Sequence, residues 1–408
     1  MSDEDSRGGN APRDRDSPVP TGMRTMSPEI VEVVSRSKTV GGCLAVLWVG
    51  FWGGLGWLFG LFSLLVGLAL LATIPVAQLL SLGYLLECSG RVVRTGRVRD
   101  GFVGIRKAAQ VGSIVLGSWL VLWPARAVSS LWYSSYLLNG ASFESRLWRI
   151  GLIVTMSLTV LHLVWAWFRG GRLRHFLWPA PRQLICRLRQ GGIYSAARDA
   201  TWEFVASLRL SYYFLLGTSG FIAASFWLIV PVTLLMLASR VPVPLGIVLG
   251  LIGALLFAAV LMYLPFLQAR FAATNDFSTM FDLRTIRRRY QQAPVAFLIA
   301  LSLTLLFALP LYLLKAELVP REAAWLPSLV FVLFMFPARL ATGWALSRSE
   351  KCDFRRHFVF RWAAWVTMLP VVAFYVLIVY FTQYVSWYGG LSLYEQHAFL
   401  LPVPFLGL

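Results

Sequence analysis

The sequence predicts an all-α fold: a polytopic transmembrane helix bundle of about nine spans, N-terminus inside and C-terminus outside, with amphipathic helices on the cytoplasmic face. Three observations predict it. Of 408 residues, 58% are Ala, Val, Ile, Leu, Met, Phe, Trp, Tyr or Cys and 14% are charged; a soluble domain is roughly 45–50% apolar and about 25% charged. Uncharged runs of the roughly 20 residues needed to cross a bilayer recur along the chain. The bases between these runs fall in alternate loops. Together these exclude both a soluble globular protein and a disordered one.

Residues 1–38 hold 7 acids and 6 bases among Ser, Pro and Gly, and read as a disordered cytoplasmic tail. No signal peptide is expected, because the first apolar run far exceeds an h-region of about 7–15 residues. Residues 39–389 form the transmembrane domain, with spans at roughly 41–60, 62–87, 109–129, 150–168, 211–238, 245–268, 294–314, 326–346 and 362–385. The first two make one apolar run. As a single helix it would be about 70 Å long, more than twice the hydrocarbon core, so a turn is placed at Gly53, Gly54 and Gly56. A re-entrant hairpin there leaves eight spans or fewer. Residues 390–408 form an apolar outer tail.

Charge sets the sidedness. Loops 90–108, 169–210, 270–292 and 347–361 hold 24 Lys and Arg, whereas the loops between them hold 5. The positive-inside rule places the former in the cytoplasm of a cell bounded by an inner membrane. Within these loops Ile193, Ala197, Phe204, Val205 and Leu208 share a helix face, as do Leu184, Ile185 and Leu188 beside Arg182, Arg187 and Arg189. With Arg287, Arg288 and Arg289 they read as basic interfacial elements, and the expected partners are anionic lipid headgroups. Bases clustered between apolar runs do not read as a nucleic-acid surface despite the net charge of +18. Gly50-x-x-x-Gly54, Gly56-x-x-x-Gly60 and Gly246-x-x-x-Gly250 permit close helix approach, within the chain, in a homo-oligomer or with a membrane-protein partner.

No catalytic signature is present: no His-Glu-x-x-His, nucleophile elbow, phosphate loop or paired Cys-x-x-Cys. No catalytic residue, metal or cofactor is therefore assigned. Cys43, Cys88, Cys186 and Cys352 all fall near the cytoplasmic face, so disulfides are not expected. Arg339 lies about 13 residues into its span, where a charge costs roughly 2.5–3.5 kcal/mol. It reads as an anion or lipid-headgroup site, with Glu87 a candidate counter-charge, or as a side chain snorkelling to the inner surface. Arg126 near the outer end of its span has the same two readings. His162 is a candidate proton relay or a neutral interhelical bond. Pro75, Pro124, Pro231, Pro265, Pro310, Pro337 and Pro370 interrupt spans, a transporter-like feature that is also common in membrane helices. Asp276, Asp282 and Asp353 read as helix caps and arginine partners.

The stretch Ala269-Arg270-Phe271-Ala272-Ala273-Thr274-Asn275-Asp276-Phe277-Ser278, followed by Phe281-Asp282 and Ile286, resembles a pattern in a family of bacterial multi-pass membrane proteins of planctomycete type. Gly83-Tyr84 resembles that family's early Gly-Tyr element. The resemblance implies a bacterial inner-membrane protein and carries no activity. Three function classes remain: a transporter-like or lipid- and anion-handling protein, a non-catalytic scaffold, and an intramembrane enzyme using inner-face acids with His162 or His357. A cavity reaching Arg339 favours the first, and a closed bundle with an apolar groove the second.

Overall fold

The computed structural model describes residues 28–140, 142–183, 186, 193–313, 325–352, 354–385 and 392–395. Arg187, Arg189, Asp353 and most of the two expected tails lie outside the described residues. The described residues are helical, with no strand among them. Among the described residues, seven helices are long and apolar enough to cross a membrane; counting the bent pair 283–292 and 294–310 as one span gives eight. The chain is therefore a multi-pass membrane protein in its architecture.

Packing divides the chain into residues 1–55 and 56–408. In the first unit the described residues 28–55 are helical, and Trp48 meets Trp52 edge-on at 5.7 Å between ring centroids. They belong to α1, Pro28–Ala72, whose first turn carries the favoured Pro and an acid, Glu29. The helix runs through Gly53, Gly54 and Gly56 without a break, so the expected turn is not there. The chain turns instead at residues 73–76, around Pro75. Glycine weakens a helix but keeps its N–H in the ladder, whereas proline removes a donor and ends the ladder.

The second unit contains α2 (Ala77–Thr95), α3 (Ile105–Asn139), α4 (Phe143–Phe168), the short α5 (Leu173–Leu177) and α6 (Ile193–Ser207). It continues with α7 (Leu210–Ala238), α8 (Val243–Thr274), α9 (Leu283–Gln292) and α10 (Pro294–Leu313). Helices α11 (Trp325–Glu350), α12 (Phe358–Val385) and the single turn α13 (Ser392–Glu395) complete it. Pro124, Pro231, Pro265, Pro310, Pro337 and Pro370 all lie inside continuous helices. Of the seven prolines expected to interrupt spans only Pro75 coincides with a break, while the sharp bend between α9 and α10 falls at Pro294.

Helix α2 is the axis of the fold. It carries Gln78, Ser81, Glu87, Ser89 and two arginines, too many polar groups for a lipid-facing surface, and 13 of its 19 residues are buried. Protein encloses it: α7, α8 and α11 pack around it. The contact with α7 is backbone on backbone. A Cβ on Gly83 would overlap the Tyr213 carbonyl, and one on Gly217 would overlap the Leu79 carbonyl. On α2's other faces, Gly90 meets Ala272 of α8, and Gly343 of α11 meets the Ser89 carbonyl. Beyond α11, helices α10 and α12 continue the bundle.

The α3–α4 hairpin packs chiefly on itself and α5. Its apolar side chains are largely exposed, as lipid-facing chains would be; Val115 and Ile153 are examples. Segment 171–180 folds back against it: Phe176 fills the space left by Gly117, and Trp165 Nε1 donates to the Pro179 carbonyl at 2.8 Å.

Replacing Gly217 or Gly83 by Val should destabilise the detergent-solubilised protein by about 1–3 kcal/mol or more, because two backbones must separate. The matched change Gly151→Val, at a position with no neighbour within 4 Å, should cost only a few tenths. Equal melting losses at the three sites would remove the α2–α7 crossing as the central constraint.

Candidate functional site: a basic cleft at one end of the bundle

At one end of the bundle, local chemistry fixes the connection from α8 to α9. Helix α8 ends at Asn275, which adopts the left-handed conformation (φ 56°) that asparagine tolerates. Asp276 accepts from Ser278 N at 3.0 Å and starts the 3-10 turn Phe277–Phe281. Asp282 accepts from Thr285 N at 3.1 Å, capping α9, and pairs with Arg270 at 2.6 Å. These bonds hold the Asp282 carboxyl down at about 2, the Arg270 bond contributing most. Asp276 is also lowered, by its bonds to Ser278. On α9, Leu283, Ile286 and Tyr290 turn to the core while Arg287 and Arg288 are exposed. The residues of the family resemblance thus serve as caps, a turn and an ion pair.

Glu87 is buried and fully engaged: it accepts from Arg94 Nη2 at 2.5 Å and from the Tyr212 hydroxyl at 2.9 Å. Arg94 also donates to the Ala272 carbonyl at 2.8 Å, closing the C-terminus of α8. Glu87 therefore anchors α2 to α7 and, through Arg94, to α8, and both of these partners differ from the expected Arg339.

Arg339 is 2% exposed. Its Nη1 donates to Oε1 of the fully buried Gln268 at 2.6 Å, a bond between α11 and α8. The snorkelling reading is overturned, since the head sits inside the bundle rather than at its surface. A cavity reaching Arg339 was the expectation tied to transport; Arg339 lines none of the cavities described here. Arg126 is exposed on α3, as an arginine reaching an interface would be. His162 Nε2 donates to the Phe176 carbonyl at 2.7 Å, holding segment 171–180 to α4. His175 is buried, and burial, with Arg169, Arg174 and Arg172 nearby, lowers its pKa and keeps it neutral. Arg182 is exposed.

The cleft lies where α9 gives way to α10 and where α11 ends and α12 begins. Helices α9 and α10 meet at 114° across Ala293, as expected where a proline follows. The cavity formed there is about 340 Å³. Arg348, Cys352, Arg356 and Gln292 supply its polar side, and Val295, Ile299, Trp344 and Phe360 its apolar side. Two contacts set its shape. Arg356 N donates to the Gln291 carbonyl at 3.0 Å, tying the α11–α12 loop to α9. Arg289 and Glu350 pair at 3.7 Å across α9 and α11. Arg348 stands over the Trp344 ring, 5.7 Å from its centroid, a cation–π contact that orients the guanidinium.

The electrostatics are one-sided. Among the described residues, Asp282 pairs with Arg270 and Glu350 with Arg289. Among the described residues neither Arg348 nor Arg356 pairs with a carboxylate. Pro294, Val295 and Ala296 line the cavity, so the first turn of α10 borders it, with its N–H groups outside the helical ladder. Two guanidiniums and a helix N-terminus favour an anion there. Sequence reading had singled out Arg287, Arg288 and Arg289 but not Arg348 and Arg356, which only the bend at Ala293 brings beside α10. Among the described residues no three His, Cys, Asp or Glu side chains converge where a metal ion could sit.

Two other cavities are apolar. One of about 700 Å³ lies between α8 and α12, with Tyr380 and Tyr384 at its rim. One of about 350 Å³ lies between α7 and α8 beside Leu283. No protein-family model, curated protein or solved structure matches the chain.

Asp282→Ala should destabilise by about 1–2 kcal/mol, the usual cost of a lost cap. Because the folded pKa lies below the unfolded value, the carboxylate's contribution is present above about pH 4 and lost as pH falls toward 2. Melting curves between pH 2 and 6 should show a slope in the wild type that flattens in the variant. An unchanged slope would show that the pair does not stabilise the fold.

Proposed function

We propose that this chain is a lipid- and anion-handling integral membrane protein of the bacterial inner membrane, engaging anionic phospholipid headgroups at its basic end. One observation carries the reading: the cleft sets Arg348 and Arg356, both without carboxylate partners among the described residues, against an apolar wall of Val295, Ile299 and Phe360. A membrane interface offers anionic groups beside hydrocarbon in just this juxtaposition. The positive-inside rule puts this end in the cytoplasm, with the N-terminus inside, the C-terminus outside, and α2 as a protein-enclosed ninth span. The exposed Arg287 and Arg288, on the helix that leads into the cleft, add to the basic surface there. Continuous helices and a buried Arg339 give less support to a transporter with a broken-helix site.

A scaffold role is the second reading. It is favoured by the α3–α4 hairpin, whose exposed apolar faces could take a partner span, in a second copy or another membrane protein.

Native mass spectrometry of the solubilised protein tests the first reading. Wild type should retain an anionic phospholipid, and Arg348→Gln with Arg356→Gln should lose it at least tenfold. Arg126→Gln, at a site far from the cleft in sequence, should leave it in place. Retention by the double variant, or no lipid on the wild type, would move the weight to the scaffold reading.

A further inference from the structure

The headgroup site carries more chemical information than a net positive charge, and the following rests on the lipid-handling reading above. Arg348 and Arg356 supply two positive charges with no carboxylate among the described residues to divide them. The first turn of α10, at Val295 and Ala296, supplies N–H donors at the same wall.

We infer that the cleft binds a lipid phosphomonoester, a terminal phosphate on an apolar tail, in preference to a phosphodiester lipid. A monoester carries about −1.5 to −2 charges near pH 7, its second ionisation lying near pH 6. That matches two arginines, where a diester with a neutral second substituent brings one charge. The cavity of about 340 Å³ is near the lower limit of small-molecule sites, roughly 300–1,000 Å³. It suits a bare phosphate and the start of its tail better than a headgroup extended through a second ester. Val295, Ile299 and Phe360 then take the first part of the tail. A soluble phosphate monoester shares the charge but leaves that wall empty.

Binding is measured on the full chain in nanodiscs of phosphatidylcholine, each doped with phosphatidic acid or with phosphatidylglycerol. The readout is alkylation of Cys352, which lies between the two arginines and is half-buried. Phosphatidic acid should slow the reaction at a concentration about tenfold below that of phosphatidylglycerol. Arg356→Gln alone should erase that preference while keeping the response to both lipids, because one arginine matches one charge. Arg348→Gln with Arg356→Gln should abolish protection by either, with the melting temperature checked to confirm folding. Equal protection by the two lipids in the wild type overturns the monoester assignment and leaves the anionic-lipid reading standing. No protection by either overturns both. Protection by inorganic phosphate or glycerol phosphate at the concentrations effective for phosphatidic acid overturns the lipid source, since the apolar wall would then contribute nothing.

Discussion

The fold depends on a single close crossing. At Gly83 and Gly217 the backbones of α2 and α7 touch, with no side chain between them. That approach lets a helix carrying Gln78, Glu87 and two arginines sit inside an otherwise apolar bundle, because its polar groups reach protein partners instead of lipid. Glu87 meets Arg94 and Tyr212, and Arg94 meets the last carbonyls of α8. In hydrocarbon, where each unsatisfied polar group costs several kcal/mol, the crossing and the polar cluster need each other. Without close packing the cluster is exposed to lipid; without the cluster α2 has no means of carrying charge in the bundle.

The same constraint orders the basic end. Once α2 fixes α7, α8 and α11, the chain leaving α8 must turn within a few residues. Asn275, Asp276 and Asp282 make that turn with a left-handed residue and two caps. The acids here are consumed by architecture: Asp282 neutralises Arg270, and Glu350 neutralises Arg289. Among the described residues Arg348 and Arg356, beside the bend at Ala293, pair with no carboxylate, and they give the cleft its positive charge.

The Gly-x-x-x-Gly motifs were a partial guide to this arrangement. Gly60 meets Ile105 and Gly246 and Gly250 meet Ala238, but Gly50, Gly54 and Gly56 have nothing within 4 Å, and the tightest crossings fall at Gly83, Gly90, Gly217 and Gly343. Glycine spacing along one helix reports a smooth face. Whether a second backbone comes to that face depends on the partner helix, which lies far away in sequence. Prolines misled in a related way. Six of them sit inside continuous helices, because neighbouring helices and local readjustment can satisfy a freed carbonyl in a packed bundle.

The sequence by itself determined the helical class, the membrane setting and the approximate position of each long helix after the first. Hydrophobic run length and loop charge are local quantities, and the bilayer reads them locally. It also marked Arg339 as unusual and Asp276 and Asp282 as caps. Only the tertiary structure decided that Arg339 is buried against Gln268, that Glu87 belongs to Arg94, that His162 holds the 171–180 segment, and that Arg348, Arg356 and Gln292 share a cleft with the start of α10. Each of these is a meeting of residues from different helices or from separate turns of the chain. The distances that define such meetings follow from how helices cross, and the crossings are set by backbone contacts that leave no periodic signal in the sequence.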